Sequence, residues 1–296
     1  MSPVDFLQRN LHNRSGLIRK GAAFALRAPR RLARAKAKPA DYASRPPVLA
    51  NSFPKSGTHL LDQILEALPA RRNYGEFLSS MTSSFRFQRR TSSESAAALR
   101  TAIPGELVRS HLFFATEIAE AVVETGIVHY FIYRDPRDVV LSEAHYLRSL
   151  NRWHRLHPFF RDAPSLDAAI ELSIRGIPEK SDSFYYPPIG ERFEQYAPWI
   201  QRDDVFAVRF EDLVSDQQPE LLRQIADYYA ARSATPMDID AVVAGMRASV
   251  DPERSHTYRK GRSGGWREKF TTRHRDLFRE YGGDVLDRYG FDPFEG

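Results

Sequence analysis

Cysteine is absent from the 296-residue chain, which removes disulfides, thiolate metal sites and a cysteine nucleophile. A reducing cytoplasm is the expected setting. No apolar run approaches the roughly 20 residues that cross a bilayer. The continuous apolar core of a secretory signal is missing as well, and there is no internal repeat. What is present, 42% hydrophobic and 12% aromatic residues, is the composition of a globular protein with a sizeable core.

The net charge of +5 is unevenly placed. Residues 1–45 hold eleven Lys/Arg against Asp5 and Asp41, so residues 46–296 are net acidic by four. The basic pI therefore belongs to an N-terminal arm and gives no reason to expect nucleic-acid binding by the body. Within the arm, Leu11, Ile18, Ala22, Ala25 and Leu32 recur at roughly helical spacing among arginines. Such an arm is an amphipathic helix packed on the body, a disordered tail, or a helix lying on a membrane at the inner face. Pro39 and Arg45-Pro46-Pro47 mark the passage into a domain spanning 46–296.

Along that domain, strand-like runs at 48–53, 107–111, 127–133 and 205–210 alternate with helical patterns near 58–68, 115–124, 136–150, 217–231 and 238–248. Near-continuous apolar strands separated by helices predict a single α/β domain with a central parallel sheet covered on both faces. The Ser/Thr-rich stretch 79–95 and the Pro/aromatic stretch 151–200 read as loops or lids.

Three segments carry chemistry. Pro54-Lys55-Ser56-Gly57-Thr58-His59-Leu60 joins a buried strand to a helix through a glycine turn, which aims backbone N–H groups at one point. The lysine precedes the glycine, whereas in the Walker A order it follows, so this is an anion cradle of another kind. At Tyr133-Arg134-Asp135-Pro136-Arg137-Asp138-Val139-Val140-Leu141-Ser142 a strand ends and Pro136 opens a helix. Arg134 then stands at the carboxyl end of a parallel strand, with Ser142 two turns into the helix. Tyr258 to Phe270 sets Arg259, Lys260 and Arg262 beside Gly261, Gly264 and Gly265, a cationic loop able to wrap an anion. Taken singly, the second segment could be a helix cap and the third a solvated loop.

In this order, PKSGTHL, RDPRDVVLS and RKGRSGGW resemble the sulfotransferases that use 3′-phosphoadenosine 5′-phosphosulfate (PAPS), over about residues 47–276. The resemblance implies a P-loop-like 5′-phosphosulfate loop made by Ser56, Gly57, Thr58 and His59. It sets Lys55 on the oxygen bridging sulfate and 5′-phosphate, and Arg134 with Ser142 on the 3′-phosphate. Arg259, Lys260 and Gly261 would close over that same phosphate, and Phe210 would stand beside the adenosine. Arg109-Ser110-His111-Leu112 resembles the strand that carries the general base, His111. No metal is implied.

The acceptor that the resemblance implies is a small molecule, lipid or saccharide with a hydroxyl. Arg109, Phe113, Tyr146 and Trp153 are the candidates to touch it, and Phe114, Tyr185 and Tyr186 also fall in segments that could wall its pocket or be ordinary core. Leu60 stands where many relatives place a tryptophan against adenine, and Phe210 where many have tyrosine. Residues 267–276 match the family's short dimer motif only loosely and set no oligomeric state. Two other classes fit parts of the pattern. A P-loop nucleotide kinase would need Walker A order, and a non-catalytic PAPS- or phosphate-binding module would lack a working base.

Overall fold

The computed structural model describes residues 2–11, 13, 15–81, 90–178, 186–251 and 263–294. Among these, β1 (Val48–Ser52), β2 (Phe77–Ser79), β3 (Leu107–His111), β4 (Val128–Tyr133) and β5 (Val205–Arg209) form one sheet in the order β2-β3-β1-β4-β5. Every pairing is parallel. Apolar side chains alternate between two cores because the strand period is two. Leu49, Val108 and Phe131 enter one core. Val48, Ala50, Leu107, Tyr130, Ile132 and Val208 enter the other. With both faces covered by helices, the strands need no polar alternation.

The chain leaves β1 toward one edge of the sheet and leaves β4 toward the other. The reversal opens a crevice outside the carboxyl ends of these two central strands, where open α/β sheets hold ligands. The helices Thr58–Glu66 and Pro136–His145 begin there.

Three stretches differ from the sequence expectation. The described part of residues 151–200, which leaves out 179–185, holds helices His157–Arg161, Leu166–Arg175 and Ile189–Glu194, which bury Phe160, Ile170, Ile174 and Phe193 in the core. Ala169, Ile170, Ser173 and Ile174 form the inward stripe of the second of these. Its period is masked in the sequence by Pro158, Pro164 and Pro178 on either side. Within 79–95, β2 ends at Ser79 and a helix, Ser92–Leu99, begins with a Thr91 capping box, while residues 82–89 lie outside the described set. The expected 136–150 helix stops at His145 and continues as a wider π turn, Tyr146–Leu150.

The arm consists of helices Pro3–Asn10, Gly16–Ala25, Arg27–Lys36 and Pro39–Ser44 seated on the body. Leu11, Ala22 and Leu26 are buried with Tyr74 and Ile103 in a third, small core. At Gly75 the chains come so close that a Cβ would lie 2.7 Å from that of Ala23. Arg30 Nε lies 2.6 Å from Glu106 Oε1 and its Nη2 2.9 Å from Oε2, and the Glu106 side chain is fully buried. Burial pushes the Glu106 carboxyl up, against the pull of Arg30.

Candidate active site

The loop after β1 is shaped by two left-handed residues, Lys55 at φ 70° and Gly57 at φ 99°. Glycine is required at 57, because a Cβ there would sit 2.6 Å from Phe210 Cδ2. Gly57 is the N-cap of Thr58–Glu66; its carbonyl accepts from the Leu60 N–H at 2.9 Å and the Leu61 N–H at 3.1 Å, so the N–H groups of Thr58 and His59 are the ones that the helix itself cannot satisfy. Ser56 Oγ is buried without a hydrogen-bond partner, an orphan that fits an oxyanion ligand held in this loop. Lys55 Nζ rests 3.7 Å above the Tyr146 ring, at the start of the π turn.

His111 ends β3, beside β1, and is pinned from both sides. Asn51, fully buried, accepts from the Leu112 N–H at 2.8 Å and the Ser110 hydroxyl at 2.8 Å, and donates to the Leu112 carbonyl at 3.2 Å. The imidazole Nδ1 is 3.0 Å from the Ser52 carbonyl oxygen and 2.9 Å from Ser52 Oγ, which in turn is 2.9 Å from Thr58 Oγ1. A carbonyl only accepts, so Nδ1 carries the proton and Nε2 keeps its lone pair. Burial lowers the His111 pKa to about 4; the Ser52 carbonyl opposes this, while Lys55 and Arg109 reinforce it. The ring is therefore neutral at ordinary pH, the form a proton acceptor needs.

Arg109 lies two residues before His111 and so on the same face of β3. Its guanidinium is 3.7 Å from the buried Asp62 carboxylate, which also lies 3.9 Å from His59 Nδ1. The arm reaches this region too. Burial holds the Arg19 guanidinium below the usual arginine range, with Tyr146 opposing and Arg109 adding to the effect. His154 is likewise held low by burial and feels Glu143 and Lys55.

Across the crevice, Arg134 stacks over Phe210 at 4.3 Å and reaches Asp138 Oδ2 at 3.2 Å. The Phe210 ring is buried between Gly57 and Arg134, so it supports both loops from beneath. Asp138 also accepts from the Gly264 N–H at 2.7 Å and the Trp266 N–H at 3.1 Å. Gln63, on the Thr58–Glu66 helix, exchanges two hydrogen bonds with the Asp251 backbone, at 2.9 and 3.0 Å. Arg259, Lys260 and Gly261 lie outside the described residues. Ser142 is half-buried on the helix that Asp135 caps. Arg137, by contrast, is buried in a fork with Asp135 and beneath Trp266, a structural role.

The acceptor candidates separate. Tyr146 lies under Lys55, and Phe113 packs edge-on to Tyr196 at 4.9 Å, both partly buried. Trp153 is 81% exposed; its N–H bonds Asn151 Oδ1 at 3.3 Å, and Asn151 in turn donates to the Tyr146 hydroxyl at 2.8 Å. Phe114 packs on Trp199, and Tyr186 is bonded to Glu143 in the core, while Tyr185 lies outside the described residues. Sequence reasoning did not single out Asn51, Ser52, Asp62, Gln63, Asp138 or Arg19. Asn51 and Ser52 did carry one signal, as polar residues ending a strand that is otherwise apolar. Among the described residues no group of three or more His, Cys, Asp or Glu could hold a metal ion, and no helix is long and apolar enough to cross a membrane.

No curated protein sequence matches the chain. The fold is similar to that of a mouse sulfotransferase, SULT7A1, complexed with PAP, with a TM-score of 0.55 at 20% identity, covering 84% of this chain and 91% of that one. It is also similar to a retinol dehydratase in complex with androsterone and inactive cofactor PAP, with a TM-score of 0.55 at 17% identity over 81% and 80% of the two chains. The Sulfotransferase domain family matches residues 45–290, the sheet and both walls of the crevice included, and the chain belongs to that family.

Proposed function

We propose that the protein moves a sulfuryl group from PAPS to an acceptor hydroxyl by in-line transfer, with His111 as general base. The observation that carries this reading is the His111 imidazole, held through Nδ1 by Ser52 at the end of the strand beside the Lys55–Gly57 loop. The retinol dehydratase neighbour holds androsterone, which agrees with a hydroxyl-bearing small molecule as acceptor. The proposal sets the reaction on the cytoplasmic side of the cell.

PAPS, when bound, supplies an electrophilic sulfur and a phosphate leaving group. His111 takes the acceptor's proton at Nε2 as the acceptor oxygen bonds to sulfur. Lys55 leaves the Tyr146 face to meet the charge that collects on the 5′-phosphate oxygen when the S–O bond breaks, and the first-turn N–H groups and Thr58 hydroxyl share that load. Transfer of this loose kind asks the protein mainly to position groups and offset charge. Ser56, Gly57, Thr58 and His59 hold the 5′ end, and Arg134, Ser142, Arg259, Lys260 and Gly261 hold the 3′-phosphate. Phe210 keeps the two halves of this cradle in register, and Arg109, Phe113 and Tyr146 meet the acceptor.

The test is incubation with PAPS and a panel of alcohols, phenols, glycolipids and saccharides, with detection of a one-sulfo mass gain. Calorimetry with 3′,5′-bisphosphate and with 5′-AMP separates the anion sites. Arg134→Ala should weaken the first ligand about tenfold or more beyond the second, the size of a lost charge-assisted contact. No mass gain with any acceptor, together with equal losses for both ligands, would overturn the reading.

A further inference from the structure

The arm has two faces, and only one is used by the fold. Gly16–Ala25 and Arg27–Lys36 run almost continuously, since Leu26 between them is also helical at φ −70°, ψ −11°. Ala22, Leu26 and Arg30 face the body. Leu17, Gly21, Phe24, Ala28 and Arg31, spaced by three and four, face outward and are exposed. Of the nine exposed large hydrophobic side chains among the described residues, five lie in this arm: Phe6, Leu17, Ile18, Phe24 and Leu32. Leu17 is 84% exposed and Phe24 70%, so these are protruding groups and not the edges of a core.

Cations surround them. Lys20, Arg27, Arg31, Arg34 and Lys36 are exposed on the same two helices, and no acidic residue occurs from Phe6 to Ala40. The Arg27 guanidinium lies 5.2 Å from the Phe24 ring centre, pairing one charge with one apolar group.

We propose that this outward face docks on an anionic lipid surface. The lipid headgroup layer is the partner that takes both features at once, with phosphates for the cations and acyl boundary for Leu17 and Phe24. A nucleic-acid backbone offers nothing to the protruding apolar groups. A second copy of the same face would bring like charge against like. Because Arg30 locks the inner face to buried Glu106, the docking face is a fixed wall of the enzyme and not a swinging tail. Deleting the arm would therefore strip a buried carboxylate of its partner, so the test uses exposed positions only.

The full-length protein is sedimented with vesicles of phosphatidylcholine alone and with vesicles containing phosphatidylserine, at low and high salt. The protein should pellet with the anionic vesicles alone and be released by salt. Leu17→Asp with Phe24→Asp should weaken pelleting about tenfold or more. Arg27→Ala, Arg31→Ala and Arg34→Ala together should weaken it about a hundredfold, about fivefold for each cation. Thermal melts should match wild type, and the milder pair Leu17→Ala, Phe24→Ala covers the case in which the acidic pair melts early. Equal pelleting with neutral vesicles, no pelleting at all, or wild-type pelleting by the substituted proteins would overturn the proposal. So would loss of self-association or of nucleic-acid retention in those variants without any lipid binding.

Discussion

Arg30→Ala isolates the contact that fixes the arm to the body. In the wild type the Glu106 carboxylate takes three hydrogen bonds: two from Arg30, at 2.6 and 2.9 Å, and one from the Ile103 N–H at 3.0 Å. The substitution leaves the last alone beside a fully buried charge. Removing one partner of a buried pair costs about 3–5 kcal/mol. The Arg30 side chain is 19% exposed, which places the loss near the low end, at about 3 kcal/mol. Arm release, which would let water reach Glu106, caps the cost and lets the arm's helices, whose basic residues are already at the surface, open for trypsin. The sign with pH follows from Glu106. Burial already holds the Glu106 pKa above the ordinary carboxyl value in the wild type, and loss of Arg30 raises it further, so the deficit opens as pH climbs through that raised wild-type pKa and shrinks in acid. Urea unfolding and trypsin digestion at mildly acidic and mildly alkaline pH read this directly, and Arg30→Met with Glu106→Leu should recover most of the loss. A change below about 1 kcal/mol at alkaline pH, with arm cleavage as slow as in wild type, would refute the reasoning.

His129 is fully buried against Trp199, with neither ring nitrogen bonded, and burial lowers its pKa to about 3. The unfolded chain therefore takes up that proton first, and stability falls by about 1.4 kcal/mol for each pH unit below about 6.5. His129→Phe should remove one proton's worth of that slope in urea midpoints measured across pH 5 to 8, and an unchanged slope would contradict it. Asp138→Ala should loosen Arg134 together with the Gly264 and Trp266 anchors, lowering calorimetric affinity for 3′,5′-bisphosphate by about tenfold to a hundredfold. Wild-type affinity in that variant would show that Asp138 positions nothing.

What the sequence made legible was what local backbone chemistry dictates. The Lys55–Gly57 turn, the Pro136 helix start and the apolar strands each announce themselves within a few residues, and the sheet and crevice follow from them. β2 did not, because three residues carry no period. Leu166–Arg175 did not, because prolines on both sides outweighed its stripe. The seat of the arm was hidden for another reason. It depends on small residues such as Ala22 and on an ion pair between positions 76 residues apart. Asn51 and Asp138 act through partners 61 and 126 residues away, so no spacing rule finds them.

The most direct test of the account is turnover of PAPS with a hydroxyl acceptor by wild type and by His111→Ala, each shown to bind 3′,5′-bisphosphate equally. The account predicts that His111→Ala binds the bisphosphate normally and loses about a hundredfold or more in turnover, the size of a lost general base. Near wild-type turnover by His111→Ala would contradict it.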